Sequence, residues 1–363
     1  MGYKQVTRKD VAREANVSET IVSYVINNNR YVDKEKRKRV EEAVKKLGYR
    51  PNNIARALKG KKLNHIIFVA DQIVTEHFSL LMNEIDKYAY DLGYMVSLCA
   101  NRNDEQFVQS IISRCFDGVI ISSISFPLEY IQELIDANIP VVLLENRDYD
   151  SIRGAAKIST GLYEGAKESV YYLYRKGCRN FVYLDRFSEN NHFSSMKDMH
   201  YRGFVEAIRE LGLHDDPTKL VLTNCHNENE VRAAVTEYLS LHKVDAIFGR
   251  NDKLACIGMQ AAQGAGYRIP EDIRVIGFDN SMISQYTVPP ITSMEIRREE
   301  IAFQAVKMLQ QMIDESVIPQ KVELSTVLIE RESTVLVERK DDDLPERESN
   351  ALAEREGAKE END

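Results

Sequence analysis

Polar side chains follow short apolar runs at five places in the sequence: Asp71 and Gln72, Ser122 and Ser123, Glu145 and Asn146, Asn251 and Asp252, and Asp279 and Asn280. Each run reads as a strand, and open parallel sheets bind ligands beyond the carboxyl ends of their strands. Carboxylates and amides hold two acceptors, or an acceptor with donors, in one plane, which suits hydroxyl-rich or purine-like ligands. The competing role at each position is a cap on the next helix, as for Asp252 before Lys253-Leu254-Ala255. A second constellation lies near the N-terminus. A helix capped by Ser18 turns Ile21, Val22, Val25 and Ile26 inward and leaves Ser18, Glu19, Thr20, Ser23, Tyr24 and Asn27 as a small polar outer face.

Spacings that carry catalysis are missing. There is no Gly-rich phosphate loop ending in Gly-Lys-Ser/Thr, no His-Glu-x-x-His pair and no Gly-x-Ser-x-Gly elbow, and Gly264-Ala265-Gly266 lacks the third glycine of a dinucleotide fingerprint. His65, His77, His192, His214, His226 and His242 lack metal-ligand spacing and read as surface or capping residues. The five cysteines (Cys99, Cys115, Cys178, Cys225, Cys256) are odd in number and widely spaced, as expected of small buried thiols rather than disulfides or a zinc site. The expectation is a binding protein with no catalytic residues, metal or cofactor.

The elements that must position these residues follow from composition and periodicity. The 363 residues are 43% hydrophobic, 8% aromatic and 29% charged, a globular mixture long enough for two or three domains. No window approaches the roughly 18 apolar residues of a membrane span, and the N-terminal decapeptide lacks the apolar core of a signal peptide, so a cytoplasmic chain with no membrane partner is expected. Charge divides sharply: residues 1–62 carry a net +10 and the remainder −19. A basic head on an acidic body points to an anion-seeking module, most commonly one for nucleic acid.

In the head, Thr7 and Asp10 form a capping-box pattern before a helix over residues 8–15, Asn16 suits the turn, Ser18 starts a second helix, and Asp33 starts a third that Gly48 stops. Two helices joined by a three-residue turn and steadied by a third describe a helix-turn-helix, although periodicity alone also permits a protein-docking bundle. From His65 onward, strands are expected at 66–70, 95–99, 118–122, 141–145, 181–184, 220–223, 246–249 and 274–278. Helices are expected at 78–92, 107–116, 128–137, 164–176, 201–211, 230–241 and 253–265. So many βα units exceed one ordinary sheet, and two doubly wound parallel-sheet lobes accommodate them.

The run from Val6 to Ser18, with Val22-Ser23-Tyr24-Val25-Ile26-Asn27 and Leu47-Gly48-Tyr49-Arg50-Pro51-Asn52, resembles the LacI/GalR family of bacterial transcription regulators, and the likeness extends to about Val337. The resemblance implies a helix-turn-helix DNA-binding head (1–50), a hinge helix and linker (51–62), a periplasmic-binding-protein-like bilobed body for effector binding and dimerisation (63–338), and an acidic tail (339–363). That tail has 10 acidic and 5 basic residues and is expected to be disordered. DNA contacts are implied for Thr7, Ser18, Glu19, Thr20, Ser23, Tyr24 and Asn27, and in the hinge for Asn52, Ala55, Leu58 and Lys59. Leu58 would be the wedge that unstacks a minor-groove step; the alternative is that Ile54 and Leu58 form the plain apolar face of a linker helix. Effector contacts are implied for Phe78, Ser122, Glu145, His200, Asn251 and Asp279.

Three departures from the family pattern bear on specificity. Tyr24 and Ile21 stand where the family commonly has Arg and Thr, so no operator sequence carries over. Gly161-Leu162 replaces an Asp-Asn pair. His200 replaces the arginine that anchors effector, and an unperturbed histidine, titrating near about 6.5, would restore a cation there in mild acid. Only Leu344 and Leu352 are available for a leucine-repeat tail helix, so a homodimer is expected. The reading is a repressor of palindromic operator DNA controlled by a sugar or related metabolite. The alternative, a solute-binding receptor without a gene-regulatory role, is opposed by the basic head.

Overall fold

The computed structural model describes residues 6–28, 30–50, 62–188 and 191–336. The hinge positions Asn52, Ala55, Leu58 and Lys59, and the tail, lie outside the described residues. The chain divides into two compact units between Asn64 and His65.

The first unit holds three helices, α1 (Arg8–Glu14), α2 (Glu19–Asn27) and α3 (Lys34–Leu47). Thr7 opens α1 with a reciprocal cap: its hydroxyl donates to Asp10 Oδ2 at 2.6 Å and accepts from the Asp10 N–H at 3.3 Å. Asn16, at φ 51°, makes the turn into α2, where Ser18 Oγ accepts from the Ile21 N–H at 3.3 Å. Gly48, at φ 59°, ends α3 in the left-handed conformation that lacks a Cβ penalty. Val11, Val22 and Val40, one from each helix, are fully buried and form the centre of a core of their own.

The second unit is two sheets with helices on both faces. The N-lobe sheet contains β1 (His65–Ala70), β2 (Met95–Ala100), β3 (Gly118–Ser122), β4 (Val141–Glu145), β5 (Ala156–Ser159) and β11 (Val322–Glu323), in the order β11-β5-β4-β3-β1-β2. The C-lobe sheet contains β6 (Phe181–Leu184), β7 (Val221–Leu222), β8 (Ala246–Gly249), β9 (Arg274–Phe278), β10 (Thr292–Glu295) and β12 (Val327–Ile329), in the order β12-β10-β9-β8-β6-β7. All ladders are parallel except β10 with β12. Period-2 alternation splits each strand between two cores: Ile66, Phe68 and Ala70 face one way and Ile67 and Val69 the other. Since both faces are covered, the strands read as continuous apolar runs.

The helices are α4 (Glu76–Asp91), α5 (Glu105–Ser113), α6 (Leu128–Asp136), α7 (Leu162–Arg175), α8 (Met199–Glu210), α9 (Glu228–Leu241), α10 (Asp252–Gly264), α11 (Met282–Tyr286) and α12 (Arg298–Glu315). The alternation expected from the sequence stops at Phe278, whereas the chain continues through β10, α12 and two further strands. Helix α12 packs on α4 and the N-lobe sheet, so the chain crosses between lobes after β5, after β10 and after β11. The strand order reverses between β1 and β3, and again between β6 and β8, which creates one topological switch point in each lobe.

Candidate functional site

A cavity of about 850 Å³ lies between the lobes, at the carboxyl ends of the strands that flank both switch points. Asp71 and Ser122 reach it from β1 and β3; Arg186, Arg250 and Asn251 reach it from β6 and β8; and Asp279 follows β9. Phe78, Leu162 and His200 line it from the starts of their helices. The lobes are tied across the cleft by the Met282 N–H donating to Glu76 Oε1 at 2.8 Å, and by the Met199 and Asp148 N–H groups donating to the carbonyls of Asn146 (3.1 Å) and Lys197 (3.2 Å).

Of the effector residues expected from the sequence, Phe78, Ser122, His200, Asn251 and Asp279 come together in this cavity, and Glu145 does not. Glu145 ends β4 as expected, but Lys321 Nζ reaches its Oε2 at 2.7 Å and its backbone carbonyl accepts from Thr160 Oγ1. The cation comes from the β11 segment far along the chain, so strand-end position alone did not reveal the pairing.

Asn251 rather than Asp252 caps α10, its Oδ1 accepting from the Leu254 N–H at 2.9 Å. Asp252 is buried and accepts from the Ser281 N–H (2.6 Å), Ser281 Oγ (2.8 Å) and Ser293 Oγ (2.6 Å). Burial, and then the charge of Asp279, push its carboxyl up to about 7 against these hydrogen bonds.

Asp279 sits at φ 96°, a conformation that L residues rarely adopt and that persists only when neighbours impose it. Here the Asp279 N–H donates to the Met294 carbonyl at 2.8 Å, and the guanidinium of Arg298 donates to the Asp279 carbonyl at 2.6 Å. The side chain is thereby aimed at His77, whose Nδ1 lies 3.6 Å from Asp279 Oδ1. His77 is therefore a cleft residue and not the surface or capping residue expected, and burial lowers its pKa against the pull of Asp279. The cysteines are all free, and Cys115 is exposed where a buried thiol was expected.

His200 departs most from expectation. Its side chain is buried beside Phe278, ring to ring at 4.5 Å, and neither ring nitrogen has a hydrogen-bond partner. Burial first, and then the charge of Arg250, push its pKa down to about 3, with Asp198 and Asp279 opposing. It is neutral through the physiological range, so mild acid does not restore a cation. One consequence is testable. The folded value lies below the unfolded value of about 6.5, so above pH 6.5 both states are neutral and His200 has no effect on stability. Below pH 6.5 the unfolded chain takes up a proton that the folded chain refuses, and stability should fall by about 1.4 kcal/mol per pH unit from this group, down to about pH 3. Urea melts of His200→Leu should show a shallower loss of stability between pH 6 and 4 than the parent chain; parallel slopes would contradict a buried neutral imidazole.

Positive charge lines the cleft at Arg186, Arg250 and Lys253, the last paired with Glu228 at 2.5 Å. Arg250 pairs with Asp198 at 2.8 Å and donates to Ser194 Oγ at 3.0 Å; burial works against its charge, but Asp198 more than offsets it and keeps it protonated. Arg186 follows β6 by two residues, so the strand-end rule that selected the other polar pairs would have found it.

The head places Glu19 and Thr20 on the surface, as expected. Ser23 and Asn27 bond to each other, Asn27 Nδ2 donating to the Ser23 carbonyl at 2.7 Å and to Ser23 Oγ at 3.1 Å. Tyr24 corrects the expectation of an outer-face residue: it is half-buried against the head core, Arg30 stacks over its ring at 5.2 Å, and its hydroxyl accepts from Arg30 at 3.4 Å. Thr7 and Ser18 spend their hydroxyls on helix caps.

A helix-turn-helix unit joined to a bilobed body with a ligand-sized cleft defines the class of ligand-responsive regulators built on a periplasmic-binding-protein-like body. Residues 7–52 match the description "Bacterial regulatory proteins, lacI family", and residues 170–334 match "Periplasmic binding protein-like domain". The HTH-type transcriptional repressor PurR of Yersinia pestis bv. Antiqua is 28% identical over 335 residues, covering 90% of this chain and 96% of that protein. The lac repressor dimer bound to operator and the anti-inducer ONPF superposes with a TM-score of 0.77 at 22% identity, covering 92% of this chain and all of that one. The transcriptional regulator CelR in complex with cellobiose gives 0.64 at 23% identity, covering 91% of this chain and all of that one. The chain thus combines a LacI-family helix-turn-helix domain with a periplasmic-binding-protein-like domain and is homologous to PurR and the Lac repressor. These relatives are regulators, not enzymes. Among the described residues no group of His, Cys, Asp and Glu is arranged to hold a metal ion, and no helix is long and apolar enough to cross a membrane.

Proposed function

We propose that the chain is a cytoplasmic, homodimeric repressor that binds palindromic operator DNA through residues 1–62 and is controlled by a small-molecule effector in the interlobe cleft. It performs no catalysis. The observation that carries the reading is the union, in one chain, of a helix-turn-helix unit of net charge +10 and a body whose two switch points open on one cavity. In the head, the exposed Glu19 and Thr20 and the Tyr24 hydroxyl are assigned to base edges. Thr7, Ser18, Ser23 and Asn27 are assigned to orienting that face and meeting phosphates. Asn52, Ala55, Leu58 and Lys59 take the hinge role, with Leu58 as the wedge. In the body, Phe78, Ser122, His200, Asn251 and Asp279 are assigned to effector, a sugar or related metabolite as in the cellobiose-bound relative; Glu145, paired with Lys321, does not line the cavity.

Dimerisation is supported by apolar side chains left bare on the body: Tyr90 is 75% exposed, Met95 72%, Tyr286 77% and Val288 82%. The mechanism is linkage: a ligand that favours one lobe arrangement over another changes the operator affinity of the dimer by its differential affinity for the two. The test is selection of duplex from a random pool by the full chain. Enrichment of a two-fold symmetric site is expected, and enrichment of no sequence would count against the reading.

A further inference from the structure

The effector reading leaves one charge in the cleft unexplained. Arg186 lines the cavity and, among the described residues, has no hydrogen bond or ion pair with another side chain, although a guanidinium carries five N–H donors in a fixed fork. Carboxylates nearby are already engaged. Asp198 pairs with Arg250 at 2.8 Å; Asp185 accepts from the Ser194 N–H at 3.1 Å, Ser194 Oγ at 2.5 Å and Thr223 Oγ1 at 3.0 Å; Asp71 accepts from the Ile124 N–H at 2.8 Å, Ser125 Oγ at 2.7 Å and Ser123 Oγ.

We propose that the ligand of this cleft carries an oxyanion, a phosphate or carboxylate on a hydroxylated carbon skeleton, and that Arg186 is its counter-charge.

Resting on the effector reading above, this assignment names the chemical class of effector. Burial keeps His200 neutral, so it supplies no cation to the cleft. Arg186 places a fixed cation at the β6 end, where it lines the cavity without an ion pair among the described residues. Burial and the neighbouring charge of Arg250 hold the Arg186 pKa below its ordinary value, despite pulls from Asp71, Asp198 and Asp185. The position is thus short of negative charge, which a ligand oxyanion would supply through short, charge-assisted bonds in a partly desolvated site. The hydroxylated remainder follows from other open groups on the cavity wall. Both His200 ring nitrogens and Thr75 Oγ1 are buried without hydrogen-bond partners among the described residues, although Asp198 Oδ1 lies 4.0 Å from His200 Nδ1; one imidazole nitrogen is a donor and the other an acceptor, and Asp279 offers carboxylate oxygens. The apolar side chains of Phe78, Leu144 and Leu162 leave room for a carbon skeleton between these poles.

Thermal melting of the full chain against pentose and hexose phosphates, the corresponding sugar acids and the matching neutral sugars tests the assignment, and the first two arms separate phosphate from carboxylate. A member of one anionic arm should raise the Tm and its neutral counterpart should not. Calorimetric titration of that compound into Arg186→Gln should show affinity reduced by about 10- to 100-fold. Without ligand, Arg186→Gln should melt at or above the parent Tm, since it removes a partly buried charge that no protein group compensates. Three results would overturn the assignment. If a neutral sugar raises the Tm equally in the parent and in Arg186→Gln but not in Asp279→Asn, the cleft binds effector and the oxyanion is excluded. If no compound in any arm shifts the Tm, the effector reading of the cleft falls with it. If unliganded Arg186→Gln melts well below the parent, Arg186 is a structural residue.

Discussion

Deletion of residues 1–62 should remove specific operator binding by a factor of at least about 1000, the lower end of the margin between specific and nonspecific binding in such proteins, and leave a folded body. The charge arithmetic sets the direction. A head of net +10 is replaced by nothing, and the remaining −19 opposes approach to a polyanion. Folding of the body is expected because the head core around Val11, Val22 and Val40 is separate from the cores that hold the two lobes. Fluorescence anisotropy with the selected duplex measures the loss, and thermal melting checks the body. A truncated protein that still binds the duplex within tenfold of the parent would place the DNA site in the body and overturn the division of labour.

The second large effect is on stability. Gly249→Ala should destabilise the protein by about 3 kcal/mol, at the upper end of ordinary overpacking. Gly249 is the last residue of β8, and the chain turns sharply there through Arg250 and Asn251 into α10. A Cβ at Gly249 would lie 2.2 Å from the backbone nitrogen of Ala255 and 2.6 Å from its Cα, so backbone rather than a flexible side-chain tip has to move. Gly264→Ala is the matched control: nothing lies within 4 Å of its added Cβ and its φ is not left-handed, so that variant should be neutral or up to about 1 kcal/mol more stable. Urea denaturation separates the two. A Gly249→Ala loss below about 1 kcal/mol would mean that the strand–helix turn is far more yielding than these contacts imply. Since the same turn delivers Arg250 and Asn251 to the cleft, ligand affinity should fall along with stability.

What was legible in the sequence follows from how local its causes are. Strands β3, β4, β6, β8 and β9 are short apolar runs with polar ends, buried on both faces, and their observed limits coincide with those expected. Strand β10 was hidden because Thr292-Ser293-Met294-Glu295 reads as polar. Its buried hydroxyls are satisfied by Thr334 and Asp252, partners about 40 residues away in sequence, and local periodicity carries no trace of that. Helix α12 is a different case: Ile301, Ala305, Leu309 and Met312 repeat at helical spacing, so its signal was present and was not taken up. Within the site, strand-end position found Ser122, Asn251 and Asp279. It would equally have found Arg186 had β6 been treated like its neighbours. It carries no sign that Glu145 pairs with Lys321, which arrives from a segment that only the interlobe crossing brings near. The neutrality of His200 was out of reach, since burial depends on Phe278 and on the packing of both lobes.

Coupling of cleft to operator within one molecule can be read by reciprocal titration. Operator affinity of the full chain is measured by anisotropy without ligand and with a saturating concentration of a compound that raises the Tm, and affinity for that compound is then measured with and without operator. Linkage requires that the two affinity ratios be equal, and factors of about 5 to 150 are typical of such coupling. Equal ratios different from one are expected, collapsing toward one in Asn251→Ala and Asp279→Ala while ligand-free operator affinity is retained. Operator affinity that does not change with the cleft saturated would contradict this coupling.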